Sequence, residues 1–189
     1  MKFISKLIAL SLTGLFVGCL YLPFEYYLPK GDGIELKRPI CGNSGPPDTG
    51  TIDVGDVSLH FHMTHSNDLL RFSYTIEISE NHSVQIKTKT ILINGQSFEM
   101  SEPRYYDSKL KEFVTCKAPL VGDGVRISKR YSGYEGPSPK QYYYSVNFPV
   151  DKLLYTVELP DLFIDGVLHK IPTITFSYKK GWYVIPLNC

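Results

Sequence analysis

Val57-Ser58-Leu59-His60-Phe61-His62-Met63-Thr64 is followed, after Ser66-Asn67-Asp68, by Leu70-Arg71-Phe72-Ser73-Tyr74-Thr75-Ile76-Glu77-Ile78. In both runs apolar and polar residues alternate one by one. A period of two belongs to a strand with one buried face, because successive side chains leave a pleated backbone on opposite sides. The residues between the runs are turn formers, so the pair reads as an antiparallel hairpin.

The same pattern extends along the chain. Val84, Ile86, Thr88 and Thr90 open a third strand that ends at Ile91-Leu92-Ile93. Asn94-Gly95 then provides a strong hairpin signal, since both positions of a two-residue turn need positive φ, and Ser97-Phe98-Glu99-Met100 is the return. Weaker strands are expected over 112–118 and 124–131, around Gly122-Asp123-Gly124. Tyr142, Tyr144, Val146 and Phe148 alternate with Tyr143, Ser145 and Asn147. Leu153 to Leu159 is a further strand, cut by Pro160. Asp165-Gly166 turns Leu162-Phe163-Ile164 into Val167-Leu168-His169. Ile174, Phe176 and Tyr178 follow, and Lys180-Gly181 leads into Trp182-Tyr183-Val184-Ile185. Residues 101–112 leave room for one short helix. Alanine occurs only at Ala9 and Ala118, which disfavours helices elsewhere. Roughly nine to eleven short strands at hairpin spacing predict an all-β fold. The expected form is an antiparallel immunoglobulin-like β-sandwich, with a small β-barrel as the alternative. The Cys…Trp…Cys spacing of antibody domains is missing, so that likeness is architectural.

The first nineteen residues, MKFISKLIALSLTGLFVGC, are of another kind. Lys2 and Lys6 precede an apolar run, and small residues follow it, which is the layout of an export signal. The ending Gly18-Cys19 resembles the lipobox of bacterial lipoproteins. That resemblance implies cleavage before Cys19, a diacylglycerol on its thiol and a palmitate-type acyl chain on its amine. Several acyl chains anchor a protein stably, at roughly 0.8 kcal/mol per buried CH₂. Leu20, standing where an inner-membrane retention Asp would be, implies the outer membrane, with the domain facing the periplasm. An uncleaved inner-membrane signal anchor is the alternative. The expected organisation is a signal peptide at 1–18, a lipidated Cys19 with a Pro/Gly-rich tether over 19–50, and one sandwich domain at 51–189. Aromatic residues at the start of the tether, Tyr21, Phe24, Tyr26 and Tyr27, suit the membrane–water interface.

The chain carries 20 Lys+Arg and 19 Asp+Glu. So even a balance argues against a nucleic-acid partner, which would need a basic footprint. With Cys19 lipidated, Cys41, Cys116 and Cys189 remain as disulfide candidates. An exported compartment permits one pair among them, with Cys116–Cys189 or Cys41–Cys189 favoured.

No phosphate-binding loop, nucleophile elbow or dinucleotide fingerprint occurs, so no catalytic residue and no cofactor is expected. His60, His62 and His65 form a possible metal set, because i and i+2 on a strand share a face and two imidazoles there can chelate. The plainer reading is a solvated strand face. The tyrosine-rich stretch around Tyr131, Tyr134, Glu135 and Tyr143 is the preferred partner-binding region. Tyrosine offers a large, stiff contact area with a polar tip, although alternate tyrosines also fill cores. The expected function is therefore an outer-membrane-anchored lipoprotein whose non-enzymatic β-domain binds a protein. By analogy at the level of class, one form would be an immunity protein against a secreted toxin. The alternatives are an envelope structural or assembly lipoprotein, and a periplasmic metal-binding protein using His60 and His62.

Overall fold

The computed structural model of the protein describes residues 19–38, 44–66, 68–79, 82–107, 110–116, 120–121 and 140–186. In chain order the strands are β1 (Cys19–Lys30), β2 (Glu35–Lys37), β3 (Thr49–Val54), β4 (Val57–Ser66), β5 (Leu69–Ile78), β6 (Ser83–Ile86), β7 (Thr90–Ile93) and β8 (Gln96–Glu99). They continue as β9 (Arg104–Asp107), β10 (Glu112–Thr115), β11 (Leu120–Val121), β12 (Lys140–Pro149), β13 (Leu154–Glu158), β14 (Leu162–Ile164), β15 (Val167–His169) and β16 (Ile174–Pro186).

These strands form three antiparallel sheets. A seven-stranded sheet runs β10-β9-β12-β5-β4-β3-β2, a five-stranded sheet β1-β16-β13-β7-β8, and a four-stranded sheet β11-β6-β14-β15. None closes into a barrel. The two larger sheets face each other as a β-sandwich, the fold that the alternation in β4 and β5 predicts. Phe61 and Phe72 of the seven-stranded sheet meet Phe176 of the five-stranded sheet edge-on, with ring centroids 6.1 and 5.7 Å apart. Phe148 of β12 reaches Tyr155 at 5.3 Å and Phe98 at 5.8 Å across the same gap. The four-stranded sheet adds Val84, Leu120, Leu162 and Ile164 to the core. Burying a large apolar side chain stabilises by about 1.5–3 kcal/mol, and every second residue of β4, β5 and β12 contributes in this way. Gly50 is required by this packing: a Cβ there would lie 2.3 Å from the Phe61 ring on the paired strand.

The turns follow the sequence closely. Asn94-Gly95 and Asp165-Gly166 hold positive φ at both residues, as two-residue hairpin turns of the primed type require.

Three expectations are corrected. First, residues 19–30 are not a tether. They form β1, paired with β16 along its whole length from Cys19↔Pro186 to Lys30↔Thr175. The sandwich thus takes in residues from Cys19 onward, ahead of the expected boundary at 51, and β2 adds a further pairing to β3. Pro23 and Pro29 are tolerated because β1 is an edge strand, where a missing N–H can face away from the ladder. Second, the expected third strand is two. β6 pairs with β14, β7 pairs with β13 and β8, and the exposed Lys87-Thr88-Lys89 link crosses from one sheet to another. Alternation reports which face is buried, not which sheet a strand joins. Third, residues 104–107 within the expected helix are strand β9, paired with β10. Lys180-Gly181 leads into Trp182-Tyr183-Val184-Ile185 within one strand, β16. The expected strand at 124–131 lies outside the described residues.

Candidate functional site

The outward face of the seven-stranded sheet carries a connected set of side chains, placed by cross-strand register. Tyr142 and Tyr144 point into the core, so Tyr143 between them points out. Its neighbours in register are Arg104 on β9 and Thr75 on β5; Thr75 in turn stands opposite His60, and His60 opposite Thr51. The next row brings Gln141, Glu77 and Ser58 together.

A hydrogen-bonded chain links these rows. The Tyr143 hydroxyl donates to Gln141 Oε1 at 2.6 Å, and Gln141 Nε2 donates to Glu77 Oε2 at 2.8 Å. His60 Nε2 lies 3.4 Å from the same carboxylate oxygen, while His60 Nδ1 and Thr51 Oγ1 are 2.9 Å apart. A neutral imidazole with its proton on Nε2 satisfies both ends, taking the Thr51 proton at Nδ1. The His60 contact, followed by that of Gln141, holds the Glu77 carboxyl below the usual range against the opposing effect of burial. Burial raises the Tyr143 phenol, with Glu77 adding to the shift.

Thr51, His60 and Glu77 have the residue types of an activated hydroxyl, a base and an orienting carboxylate. Thr51 is only 3% exposed, however, and its hydroxyl is engaged with His60. The chain of bonds fixes the sheet face; its accessible end is at Tyr143.

There an aromatic cluster opens to solvent. Phe113 on β10 meets Tyr143 and Tyr106 edge-on, each with centroids 5.5 Å apart, and the Arg104 guanidinium lies 5.4 Å from the Phe113 ring centre. Tyr106 and Phe113 are 51% and 49% exposed although their rings pack on one another. Exposed Tyr, Phe and Arg in one patch are the residue types that dominate binding energy at protein interfaces.

Of the expected partner-binding residues, Tyr143 lies in this cluster. Tyr131, Tyr134 and Glu135 lie outside the described residues. Tyr106, Phe113 and Arg104 were not singled out from sequence. Reading 104–107 and 112–115 as alternating strands would have put Arg104 and Tyr106 on one face.

The expected metal set is not brought together. His60 and His62 share the outward face, but His65 shares the parity of Phe61 and Met63 and leaves the strand on the other side. It packs against Tyr27, tilted, and against Tyr178, edge-on, with centroids at 5.6 and 6.5 Å. Both His60 nitrogens are engaged, and burial lowers the affinity of His62 for a proton, against the pull of Asp48. Among the described residues no group of three or more His, Cys, Asp and Glu side chains is placed to hold a metal ion.

Cys116 is half-buried at the end of β10 and packs against the core; Cys41 and Cys189 lie outside the described residues. His82 sits between two carboxylates, 2.7 Å from Asp165 and 3.5 Å from Asp56, and so ties the β14–β15 turn to the β3–β4 turn. The bond to Asp165 raises the His82 imidazole and lowers the Asp165 carboxyl.

No protein-family model, curated protein or solved structure matches this chain. Among the described residues no helix is long and apolar enough to cross a membrane; residues 1–18 are outside them.

Proposed function

We propose that this protein is a membrane-anchored, non-enzymatic binding module of the bacterial envelope. Cys19 carries the lipid anchor at the outer membrane, and the sandwich presents its β12-β9-β10 edge to a protein partner in the periplasm. The observation that carries the binding reading is the solvent-open cluster of Arg104, Tyr106, Phe113 and Tyr143. Rings held against each other lose little freedom on binding, so their burial by a partner is converted efficiently into affinity. One concrete partner is a secreted toxin that the protein neutralises at the membrane.

The test is a photo-crosslinking amino acid placed at Tyr106 in cells. A discrete protein adduct that is lost on Phe113→Ala supports the reading. Absence of any adduct, with the same label at exposed Asp53 as a background control, defeats it. For the anchor, Cys19→Ser is expected to release the protein from the membrane fraction. A wild-type protein that keeps its first eighteen residues would favour the signal anchor instead.

A further inference from the structure

The two strands that bring the chain to Cys19 do not stop where the sandwich stops. β13 pairs with β16 only from Ile174 to Ser177, whereas β1 pairs with it as far as Pro186. Residues 19–26 and 179–186 therefore extend past the sheet as a two-stranded ribbon. A charge pair, Glu25 with Lys180 Nζ at 2.6 Å, marks its base. Beyond it, 19–24 and 181–186 contain no charged residue. Tyr21 stacks on Trp182 with centroids 5.4 Å apart and planes 17° from parallel. On the other face Tyr183 meets Phe24 and Tyr26, and its hydroxyl bonds that of Tyr26 at 2.6 Å. Gly181 makes room for this ring, since a Cβ there would lie 2.9 Å from it. Leu20, Tyr21, Trp182 and Val184 are 46%, 59%, 59% and 47% exposed. That is a contiguous apolar tip rather than scattered surface residues.

We infer that this ribbon is a membrane-interface element: its tip lies among the lipid headgroups and fixes how the domain stands on the bilayer. The inference rests on the reading that the chain meets the membrane at Cys19, where the ribbon ends and the apolar run of the first residues begins. Three properties select a lipid surface over another occupant. Tyr and Trp with an apolar body and a polar tip are favoured at the headgroup level. Arg38, 5.9 Å from the Tyr183 ring centre, and exposed Lys179 place cations beside the tip, where anionic headgroups lie. A second copy adding a strand to β1 would face the missing donors of Pro23 and Pro29. Depth is limited as well. Both ribbon edges carry unpaired backbone groups, each costing several kcal/mol in hydrocarbon, so the tip stays at the wet interface and does not span.

Trp182 is the single tryptophan of the chain and reports on the tip directly. The full chain, recovered from membranes and reconstituted into phosphatidylethanolamine–phosphatidylglycerol vesicles, is the material. Blue-shifted Trp182 emission, quenched by lipids brominated near the headgroup end of the acyl chains and shielded from iodide, is expected. Tyr21→Ser, on an exposed residue, is expected to weaken the bromine quenching while the protein still sediments with the vesicles. Vesicle-bound protein whose Trp182 stays open to iodide overturns the inference and leaves the anchor intact. Shielding from both quenchers overturns it in favour of a protein occupant, a second copy included. Failure to sediment with vesicles at all removes the anchoring reading and this inference with it.

Discussion

The inner and outer halves of the β1–β16 ribbon both carry large apolar side chains and meet opposite environments. In the inner half Tyr27 and Phe176 are 1% and 0% exposed. A few residues further along the same strands, on the same face, Tyr21, Trp182 and Val184 are about half exposed. In the strands' own sequence the Glu25–Lys180 pair stands between the two. The inner half has the seven-stranded sheet across from it, with Phe61 and Phe72 against Phe176; among the described residues the ring–ring contacts of the outer half stay within the ribbon. The value of an apolar residue is therefore set by what stands opposite.

The largest effect should come from breaking that contrast within one strand. Phe176→Ala opens a cavity between the sheets and is expected to cost about 3–5 kcal/mol in denaturant unfolding. Trp182→Ala on the outer half should change solution stability by less than about 0.5 kcal/mol. Similar losses for both would mean that a cover over the tip contributes to the fold.

Tyr74 sharpens the comparison in the opposite sense, because it is buried yet incompletely matched. It stacks on Tyr144 at 4.9 Å, but its hydroxyl has no hydrogen-bond partner among the described residues. Tyr74→Phe removes a desolvated hydroxyl and keeps the ring, so stability should rise by about 1 kcal/mol. A loss of stability would reveal a partner for that oxygen.

A smaller effect is expected at Glu77, where the facing groups are polar. Its carboxyl titrates lower when folded than its ordinary 4.5. Its contribution is then present above about 4.5 and is lost as pH falls through the depressed folded value. Glu77→Gln should lower the melting temperature at neutral pH and converge with wild type in acid. Solvent screening at this half-exposed site keeps the difference well under about 1 kcal/mol.

The smallest concerns His82. Its raised and Asp165's lowered titration mean that the pair is formed between the two folded values. Above the His82 value the imidazole's contribution is lost, and below the Asp165 value the carboxylate's is lost. In Asp165→Asn the His82 midpoint, followed by NMR, should fall back toward 6.5. An unchanged midpoint would show that Asp56 alone sets it.

What the sequence disclosed and what it hid divide along the same line. Strands β4, β5 and β12 were legible because one buried face imposes a strict period of two. The Asn94-Gly95 and Asp165-Gly166 turns were legible because few residues accept positive φ. β1 was hidden by Pro23 and Pro29, which read as breakers until an edge position is known. The Tyr143 cluster was half visible: the tyrosine stood out, but Phe113 and Arg104 join it only through the pairing of β9, β10 and β12. His65 was misjudged for want of a parity count, since an odd step along a strand changes the face.

The pairing of β1 with β16 also bears on how the chain reaches this state. These strands lie far apart in the sequence, so their pairing closes a long loop. Closing so long a loop is slow, and high contact order puts such pairings late in folding. Until β16 has been made, β1 has no neighbour in its sheet. A nascent chain thus keeps β1 without that partner until residues 175–186 have been made.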